Sequence, residues 1–230
     1  MEKSIPLKIT AYLLDGRLNS TSDIIMFDSI LYHAWFCKYA PQVLDGIYDP
    51  EFAKNLKVGL PLVQQAGNRW SASKGIYTEI GKSVECYNKR PDFFAQDKID
   101  YLVENKGIID SKAGKFKAYR VPQVIRTLKE GKITFFVVGK KNKIIELLGY
   151  MKAVGKKPSI GFGIVKRWEI TEINDDYTTE HPKYGLMRPI PVDEDIDGKY
   201  SQYPIMMFAT HPPYWKTKNM KLCYVPIMGT

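Results

Sequence analysis

The strongest constraint on the fold is an ordered unit at residues 132–173. The run KITFFVVG at 132–139 is short, apolar and rich in β-branched residues, which is typical of a buried strand. From 142 to 154 apolar residues recur at helical spacing, and Gly155 stands where a helix C′ residue belongs. The run IVKRWEITEI at 164–173 predicts a second strand. The unit is therefore strand, helix, glycine-rich loop and strand.

The first forty residues repeat the strand–helix order. Apolar and polar residues alternate in IPLKITAYLL at 5–14, which predicts a half-buried strand. Apolar residues then recur every three or four positions across 24–40, and Pro41 follows that predicted helix. With extended residues of 58–81 supplying the missing strands, the simplest assembly is a split βαββαβ. This is an α+β, ferredoxin-like (RRM-like) fold with both helices on one face of the sheet.

Two further stretches lack this regularity. Residues 82–131 mix Gly, Lys and aromatic residues without one period, which predicts a long basic insertion on a single domain spanning 1–180. Seven of the fourteen prolines lie within 181–230, which predicts an irregular, Pro-rich C-terminal extension packed on that domain.

The charge distribution favours a polyanionic partner. The formal net charge is +9, and residues 51–170 alone hold 24 Lys and Arg against 11 Asp and Glu. Three widely spaced cysteines form no CxxC pair, so neither a zinc site nor a disulfide framework is indicated. No apolar run is long enough to span a membrane, and we expect a cytoplasmic protein with no membrane partner.

The stretch AVGKKPSIGFG at 153–163 combines bare backbone with positive charge. A P-loop and a dinucleotide fingerprint both place their glycines between a strand and a following helix, whereas here a helix precedes the glycines and a strand follows. Two readings remain open, a helix stop with a tight turn or a clamp on a nucleic-acid backbone. In the second, glycines admit a ligand, lysines neutralise phosphates, and an aromatic ring meets a base. The candidate nucleic-acid-binding residues are Gly155, Lys156, Lys157, Ser159, Gly161, Phe162 and Gly163.

Two other stretches place aromatic residues beside cations. NRWSASKG at 68–75 could stack a base and hold its phosphate, or could hold a buried tryptophan with solvated neighbours. GKFKAYR at 114–120 could form a cationic strip along a phosphate track, or an ordinary solvated strand edge. Their candidate nucleic-acid-binding residues are Arg69, Trp70, Lys74, Lys117, Tyr119 and Arg120.

The residues alone indicate no convincing catalytic cluster. His33 lies on the first predicted helix, where a packed or surface histidine is the common case. No HxxxH metal pair and no GxSxG elbow occur, so we expect no metal, no cofactor and no enzymatic activity.

Three segments resemble the RAMP superfamily, the repeat-associated mysterious proteins that build CRISPR effector complexes. They are similar to the small subunit of type IV complexes that caps the five-prime handle of the guide RNA. The segments are VVGKKNKIIELLGYMKAVGKKPSIGFGIVKRWEI (137–170), LPLVQQAGNRWSASKGIY (60–77) and GKFKAYRVPQVIR (114–126).

The resemblance implies a non-catalytic, RNA-binding subunit of an antiviral ribonucleoprotein. Its expected partners are the guide RNA and other effector subunits, above all the backbone paralogue, and contact with target-flanking DNA is left open. The alternative within the same superfamily is a metal-independent endoribonuclease that processes CRISPR precursor RNA with His33 as base.

Overall fold

The computed structural model describes residues 2–20, 24–44, 56–89 and 119–227. Within these residues the chain forms eleven strands and three α-helices. In order they are β1 (Ile5–Leu13), β2 (Arg17–Asn19), α1 (Phe27–Tyr39), α2 (Pro41–Leu44), β3 (Glu79–Lys89), β4 (Tyr119–Leu128), β5 (Lys132–Gly139), α3 (Lys141–Leu148), β6 (Val165–Glu172), β7 (Glu180–His181), β8 (Gly185–Leu186), β9 (Ile190–Pro191), β10 (Ile205–Ala209) and β11 (Met220–Tyr224).

The central sheet has the order β5–β1–β6, with both neighbours antiparallel to β1. Alternation along β1 decides its two faces, because successive strand residues point to opposite sides. Leu7, Ile9 and Ala11 are fully buried, whereas Lys8 between them is exposed. The predicted half-buried first strand is therefore present, as are the strands predicted at 132–139 and 164–173.

Helix α1 covers the apolar face of this sheet. Phe27 packs against Phe135 of β5 with ring centroids 5.1 Å apart, and meets Trp168 of β6 edge to face at 6.4 Å. Lys38 of α1 forms an ion pair with Glu146 of α3, so the two helices lie side by side. The α+β class predicted from the sequence is confirmed.

The predicted complete βαββαβ sheet is not confirmed, because its fourth strand is not a regular ladder. Residues 71–76 run antiparallel beside β5 but form only isolated bridges, Ala72 to Val137 and Ile76 to Thr134. The Phe136 amide donates to the Ser73 hydroxyl rather than to a backbone carbonyl. Backbone groups that a ladder would use are instead bonded to the start of α1 and to the C-terminal extension.

The second helix is shorter than predicted. Helix α3 ends at Leu148, and Gly149 with φ −58° serves as its C-cap, so Gly155 is not the C′ residue. The residues after Gly149, which were predicted to continue the helix to 154, leave the helix axis and become extended. Ala153 forms an isolated bridge with Ile164. This extended return places the glycine loop, residues 155–163, further from the helix than the periodicity indicated.

A second sheet flanks the core in the order β2–β4–β3. Strand β3 pairs with β4 from Glu79–Leu128 to Lys89–Tyr119, so the ends of the predicted basic insertion form one antiparallel ribbon. Residues 90–118 lie outside the described part of the chain. The domain limits at 180 and around 82–131 stay predictions.

The C-terminal extension is more regular than its proline content suggested. Strands β10, β11 and β9 form an antiparallel sheet, and β7 pairs with β8. No helix among the described residues is long and apolar enough to cross a membrane.

A buried guanidinium ties this extension to the core. Arg188 has no exposed surface and donates to three backbone carbonyls, those of Trp70, Ala72 (3.1 Å) and Thr210 (3.1 Å). These carbonyls belong to two distant parts of the chain, the extended segment beside β5 and the loop after β10. Because a buried charge is costly unless it is hydrogen-bonded, this arrangement depends on all three acceptors.

Asp28 and Tyr214 complete what we call the Arg188 cluster. The fully buried Asp28 carboxylate lies 3.8 Å from the Arg188 guanidinium and accepts the Tyr214 hydroxyl at 2.8 Å. Burial raises the pKa of Asp28 to about 6, against the lowering effects of the Arg188 charge and the Tyr214 hydrogen bond. The cluster therefore joins α1 to the C-terminal extension through one titrating group.

The pH dependence of stability tests this cluster. Since the Asp28 pKa is about 6 in the folded chain and ordinarily 3.8, the folded state holds this proton more tightly than the unfolded state does. The resulting stabilisation is fully present below about pH 4 and is lost as the pH rises through about 6. We expect the free energy of unfolding of the wild type, minus that of Asp28→Asn, to fall by on the order of 3 kcal/mol over this range.

Urea unfolding of both proteins at a series of pH values measures that difference. The asparagine keeps an acceptor for Tyr214 and removes the titrating carboxylate together with its charge beside Arg188. The titration of carboxylates elsewhere cancels in the subtraction. A difference that stays constant, or grows with pH, would contradict the assignment.

Candidate nucleic-acid interface

The glycine loop is closed at its base and held against β2. The Val154 amide donates to the Gly163 carbonyl at 2.9 Å, and the Val165 amide donates to the Lys152 carbonyl at 2.8 Å. From the other side, the Gly163 amide donates to the Arg17 carbonyl of β2. The loop is therefore a fixed hairpin rather than a loose connection.

Gly155 and Gly163 are required by this close approach. Both have positive φ, at 90° and 67°, a conformation that side-chain-bearing residues rarely adopt. A Cβ on Gly155 would lie 2.5 Å from the Asn19 carbonyl oxygen, and one on Gly163 would overlap the Val154 carbonyl oxygen. The packing of the loop requires both glycines; Gly163 is buried in protein, whereas Gly155 keeps an exposed side.

The tip of the loop is the part exposed to solvent. Lys156, Ser159 and Gly161 are exposed, and Lys157 is partly exposed. The Lys156 amide donates to the Asn19 carbonyl at 2.7 Å, which fixes the backbone from which the side chain projects. A Cβ on Gly161 would meet nothing within 4 Å, so of the three glycines in this loop only Gly161 has open space at its Cβ position.

Phe162 does not occupy the position expected of a base-stacking ring. Its side chain is 4% exposed, and the Arg17 guanidinium lies 5.1 Å from its ring centroid. The ring anchors the loop to β2 from inside. The sequence expectation failed here because a residue between two glycines was taken as free to turn outward, whereas the Gly163 amide next to it is bonded to the Arg17 carbonyl and the ring packs against the Arg17 guanidinium.

The stretch at 68–75 is also directed inward. Arg69 is buried and pairs with Glu194 of the C-terminal extension. Lys74 is 5% exposed and donates to the Ile227 carbonyl at 3.0 Å, and burial lowers its pKa to about 8. Trp70 is partly buried, and its carbonyl accepts from Arg188. These side chains hold the extension to the core and do not form the exposed stacking surface predicted.

The third predicted stretch lies mostly beyond the described residues. Lys117 and the side chain of Tyr119 fall outside them. Arg120 is exposed on β4, the strand that pairs with β2. The predicted cationic strip at 114–120 stays a prediction.

A large cleft opens beside the glycine loop. Its volume is about 1040 Å³, and it lies between residues 24–36 of α1 and the chain before it, residues 150–158, and residues 207–220 of the extension. Gly155 and Lys156 belong to its lining, so the loop and the cleft form one continuous site. Most other lining side chains are apolar or aromatic, as in typical ligand pockets.

Sequence reasoning missed most of this lining. Tyr150 and Lys152 were taken as part of a helix that in fact ends earlier, and Trp215 lies in a proline-rich tail with no recognisable motif. The run PPYWK at 212–216 combines an aromatic pair with a cation and was the available signal. Its position depends on the Arg188 cluster, which no local pattern reveals.

His33 also lines the cleft. Desolvation of its ring lowers its pKa, which favours the neutral imidazole. Among the described residues, no three His, Cys, Asp or Glu side chains come together as metal ligands. The site therefore contains lysines, aromatic rings and one neutral histidine around a fixed loop.

Comparisons with known proteins identify a family. A family model described as "CRISPR type IV associated protein Csf3" matches residues 5–226. No curated protein matches the chain. Among solved structures, one with 12% identity covers 96% of this chain and 91% of its own, with a TM-score of 0.42. It is titled "Crystal structure of Csm3-Csm4 subcomplex in the type III-A CRISPR-Cas interference complex".

Substitution of individual glycines tests the loop geometry. We expect Gly163→Ala to lower the free energy of unfolding much more than Gly161→Ala, since both have positive φ but only Gly163 also meets a carbonyl oxygen. The conformational cost shared by both changes is about 1–2 kcal/mol. Chemical denaturation of the two variants and the wild type measures the difference, and equal losses would refute the close approach.

Proposed function

The chain belongs to the Csf3 family of type IV CRISPR-associated proteins, and on this premise we propose that it is a non-catalytic RNA-binding subunit of a CRISPR effector complex. Its ligand in this proposal is the five-prime handle of the guide RNA, which it caps. The glycine loop and the adjoining cleft are the binding site.

The proposal rests on the exposure of the lysines beside the loop and on their lack of ion pairs among the described residues. Lys152 and Lys156 are exposed, and neither forms an ion pair within the described residues. Some cations elsewhere are paired with carboxylates instead, such as Lys141 with Glu172 at 2.7 Å and Arg167 with Glu169 at 2.7 Å. Exposed lysines without carboxylate partners are available for phosphates.

The geometry of the loop suits a sugar–phosphate backbone. The exposed hydroxyl of Ser159 can donate to a phosphate oxygen, and the lysines of the tip supply charge. Single-stranded RNA leaves its bases accessible, whereas side chains cannot read the deep groove of an A-form duplex. A single-stranded, repeat-derived handle could therefore place its phosphates at the loop and its bases in the cleft.

The proposed partners follow from the family. Other subunits of the effector complex, above all the backbone paralogue, would contact this subunit in the assembled particle. The predicted basic insertion at 82–131, whose ends form β3 and β4, would supply further phosphate contacts. Target-flanking DNA would be a second nucleic acid at the same end of the complex.

A metal-independent endoribonuclease is the second candidate. The observation that favours it is the presence of His33 in the same cleft as Lys156, with a lowered pKa that suits a general base. Such a base would take the proton of a 2′-hydroxyl, and another group would have to protonate the leaving oxygen. His33 is the sole histidine among the described residues that line the cleft.

Charge reversal at the loop tests RNA binding. We expect Lys156→Glu with Lys157→Glu to weaken binding of a single-stranded handle RNA at least tenfold, because two phosphate contacts are lost and two repulsions are added. The wild type should also show a steep loss of affinity with rising salt, with a shallower slope in the variant. Fluorescence anisotropy of labelled RNA at several salt concentrations measures both quantities.

The matched control is Lys3→Glu with Lys183→Glu, which changes the net charge equally at exposed positions outside the loop and the cleft. We expect its affinity to remain within about twofold of the wild type. An unaltered affinity in the loop variant, or an equal loss in the control, would remove the loop from the site.

Incubation with precursor guide RNA separates the two candidate functions. We expect the full chain to bind the RNA and leave it intact, and His33→Ala to change neither result. Denaturing gel electrophoresis of the RNA is the measurement. Cleavage by the wild type that is lost in His33→Ala would establish the endoribonuclease instead.

A further inference from the structure

The cleft beside the glycine loop has three walls of different origin. The first half of α1 provides one wall, the extended return after α3 provides the second, and the loop between β10 and β11 provides the third. The volume of about 1040 Å³ is at the upper end for small-ligand pockets, so the cleft has room for more than one planar ring.

Among the described residues, the charged side chains that line the cleft have one sign. They are Lys152 and Lys156, His33 is the other lining group that can be protonated near neutral pH, and no described carboxylate lines the cleft. The carboxylate of Asp28 lies close by but is fully buried behind the wall, bonded to Tyr214. An occupant of this cleft would therefore be apolar in its body and anionic at its edge.

Two aromatic side chains line the cleft and are exposed to solvent. Tyr150 is 46% exposed and Trp215 is 74% exposed, and they come from two separate parts of the chain. Large aromatic surfaces left in water are unfavourable, and exposed clusters of them mark binding sites. Flat rings beside cations are the arrangement that stacks nucleobases in single-stranded RNA sites.

The wall that carries Trp215 is preorganised. The preceding residue, Tyr214, is held by its hydrogen bond to Asp28 and by an edge-to-face contact with Phe208 at 6.0 Å. The Asn219 side chain donates to the Pro213 carbonyl at 3.2 Å and closes the turn from the other end. A ring on a fixed backbone loses little conformational entropy when it binds a ligand.

We propose that this cleft is a nucleobase pocket that receives unstacked bases of single-stranded RNA, with Trp215 and Tyr150 stacking on them and with Lys152 and Lys156 binding the flanking phosphates. The proposal rests on the proposed function and deepens it, since it assigns base contacts to residues outside the glycine loop. The continuity of the lining with Lys156 supports it, because a strand held by the loop tip reaches the cleft without a gap.

The charge and the exposed rings favour RNA over a protein segment. An apolar peptide would bury the methionines and aromatic rings but would leave two lysines at the edge without partners. RNA provides both a flat apolar body and a phosphate for each lysine.

The experiment compares an intact RNA with a strand that lacks bases. The probes are a labelled single-stranded 12-nucleotide RNA of mixed sequence and the same strand with abasic sites at its central positions. We expect Trp215→Ala and Tyr150→Ala each to weaken binding of the intact RNA by about fivefold or more, and to leave binding of the abasic strand unchanged. Trp215→Phe should retain most of the affinity, because it keeps a stacking surface.

The matched control is Tyr39→Ala, which removes an aromatic ring of similar exposure outside the cleft. It should bind both strands as the wild type does. Circular dichroism and thermal unfolding of every variant establish that each is folded, and quenching of tryptophan fluorescence by RNA in the wild type, reduced in Trp215→Phe, gives an independent signal.

The outcomes separate this proposal from the proposed function. If Lys156→Glu with Lys157→Glu loses affinity while Trp215→Ala and Tyr150→Ala bind both strands normally, the nucleobase pocket is refuted and RNA binding by the loop stands. If Trp215→Ala and Tyr150→Ala bind RNA normally but no longer bind a partner subunit, the cleft is a protein-docking groove. That outcome would also refute the nucleobase pocket. Failure of the wild type to bind the intact 12-nucleotide RNA would refute the pocket, and failure to bind the handle RNA as well would overturn both proposals.

Discussion

The buried guanidinium of Arg188 is the interaction on which the arrangement of the molecule depends. A fully buried cation is expensive, and its cost is offset here by three backbone carbonyls and by the Asp28 carboxylate 3.8 Å away. These acceptors come from α1, from the extended segment beside β5, and from the C-terminal extension. An interaction that is satisfied only when all three parts meet selects one arrangement of the extension over the alternatives.

The Arg188 cluster also connects the core to the candidate site. Asp28 begins α1, whose next turns line the cleft, and Tyr214 precedes Trp215 on the opposite wall. Lys74 and Arg69 add two more links between the core and the extension, through the Ile227 carbonyl and Glu194. Arg69 and Lys74, which the sequence suggested for RNA binding, therefore hold the C-terminal extension to the core. Lys152 and Lys156 beside the glycine loop remain exposed and accessible to a ligand.

Local patterns predicted the elements well where one face of the element is buried. The alternation of Leu7, Ile9 and Ala11 and the helical spacing of Phe27 and Ile30 both follow from burial on a single side, and the structure has a strand and a helix there. The strand beside β5 was not predictable in detail, because its amides and carbonyls are shared with distant residues. The Ser73 hydroxyl takes the place of a ladder carbonyl, and no periodicity encodes such a substitution.

The candidate site was predictable only in part, for a related reason. A lysine in a sequence carries charge, but its availability to a ligand depends on what surrounds it, and Lys74 is buried while Lys156 is exposed. Likewise a glycine indicates freedom of the backbone without indicating what approaches it, so Gly163 serves packing while Gly161 borders solvent. Lys156 and the aromatic rings line the same cleft, and the loop that carries Lys156 is fixed to β2 through the Lys156 and Gly163 amides. A loop that is rigid before binding places its charges without a large entropic cost, and this preorganisation suits a short, polar turn to the edge of the proposed RNA site.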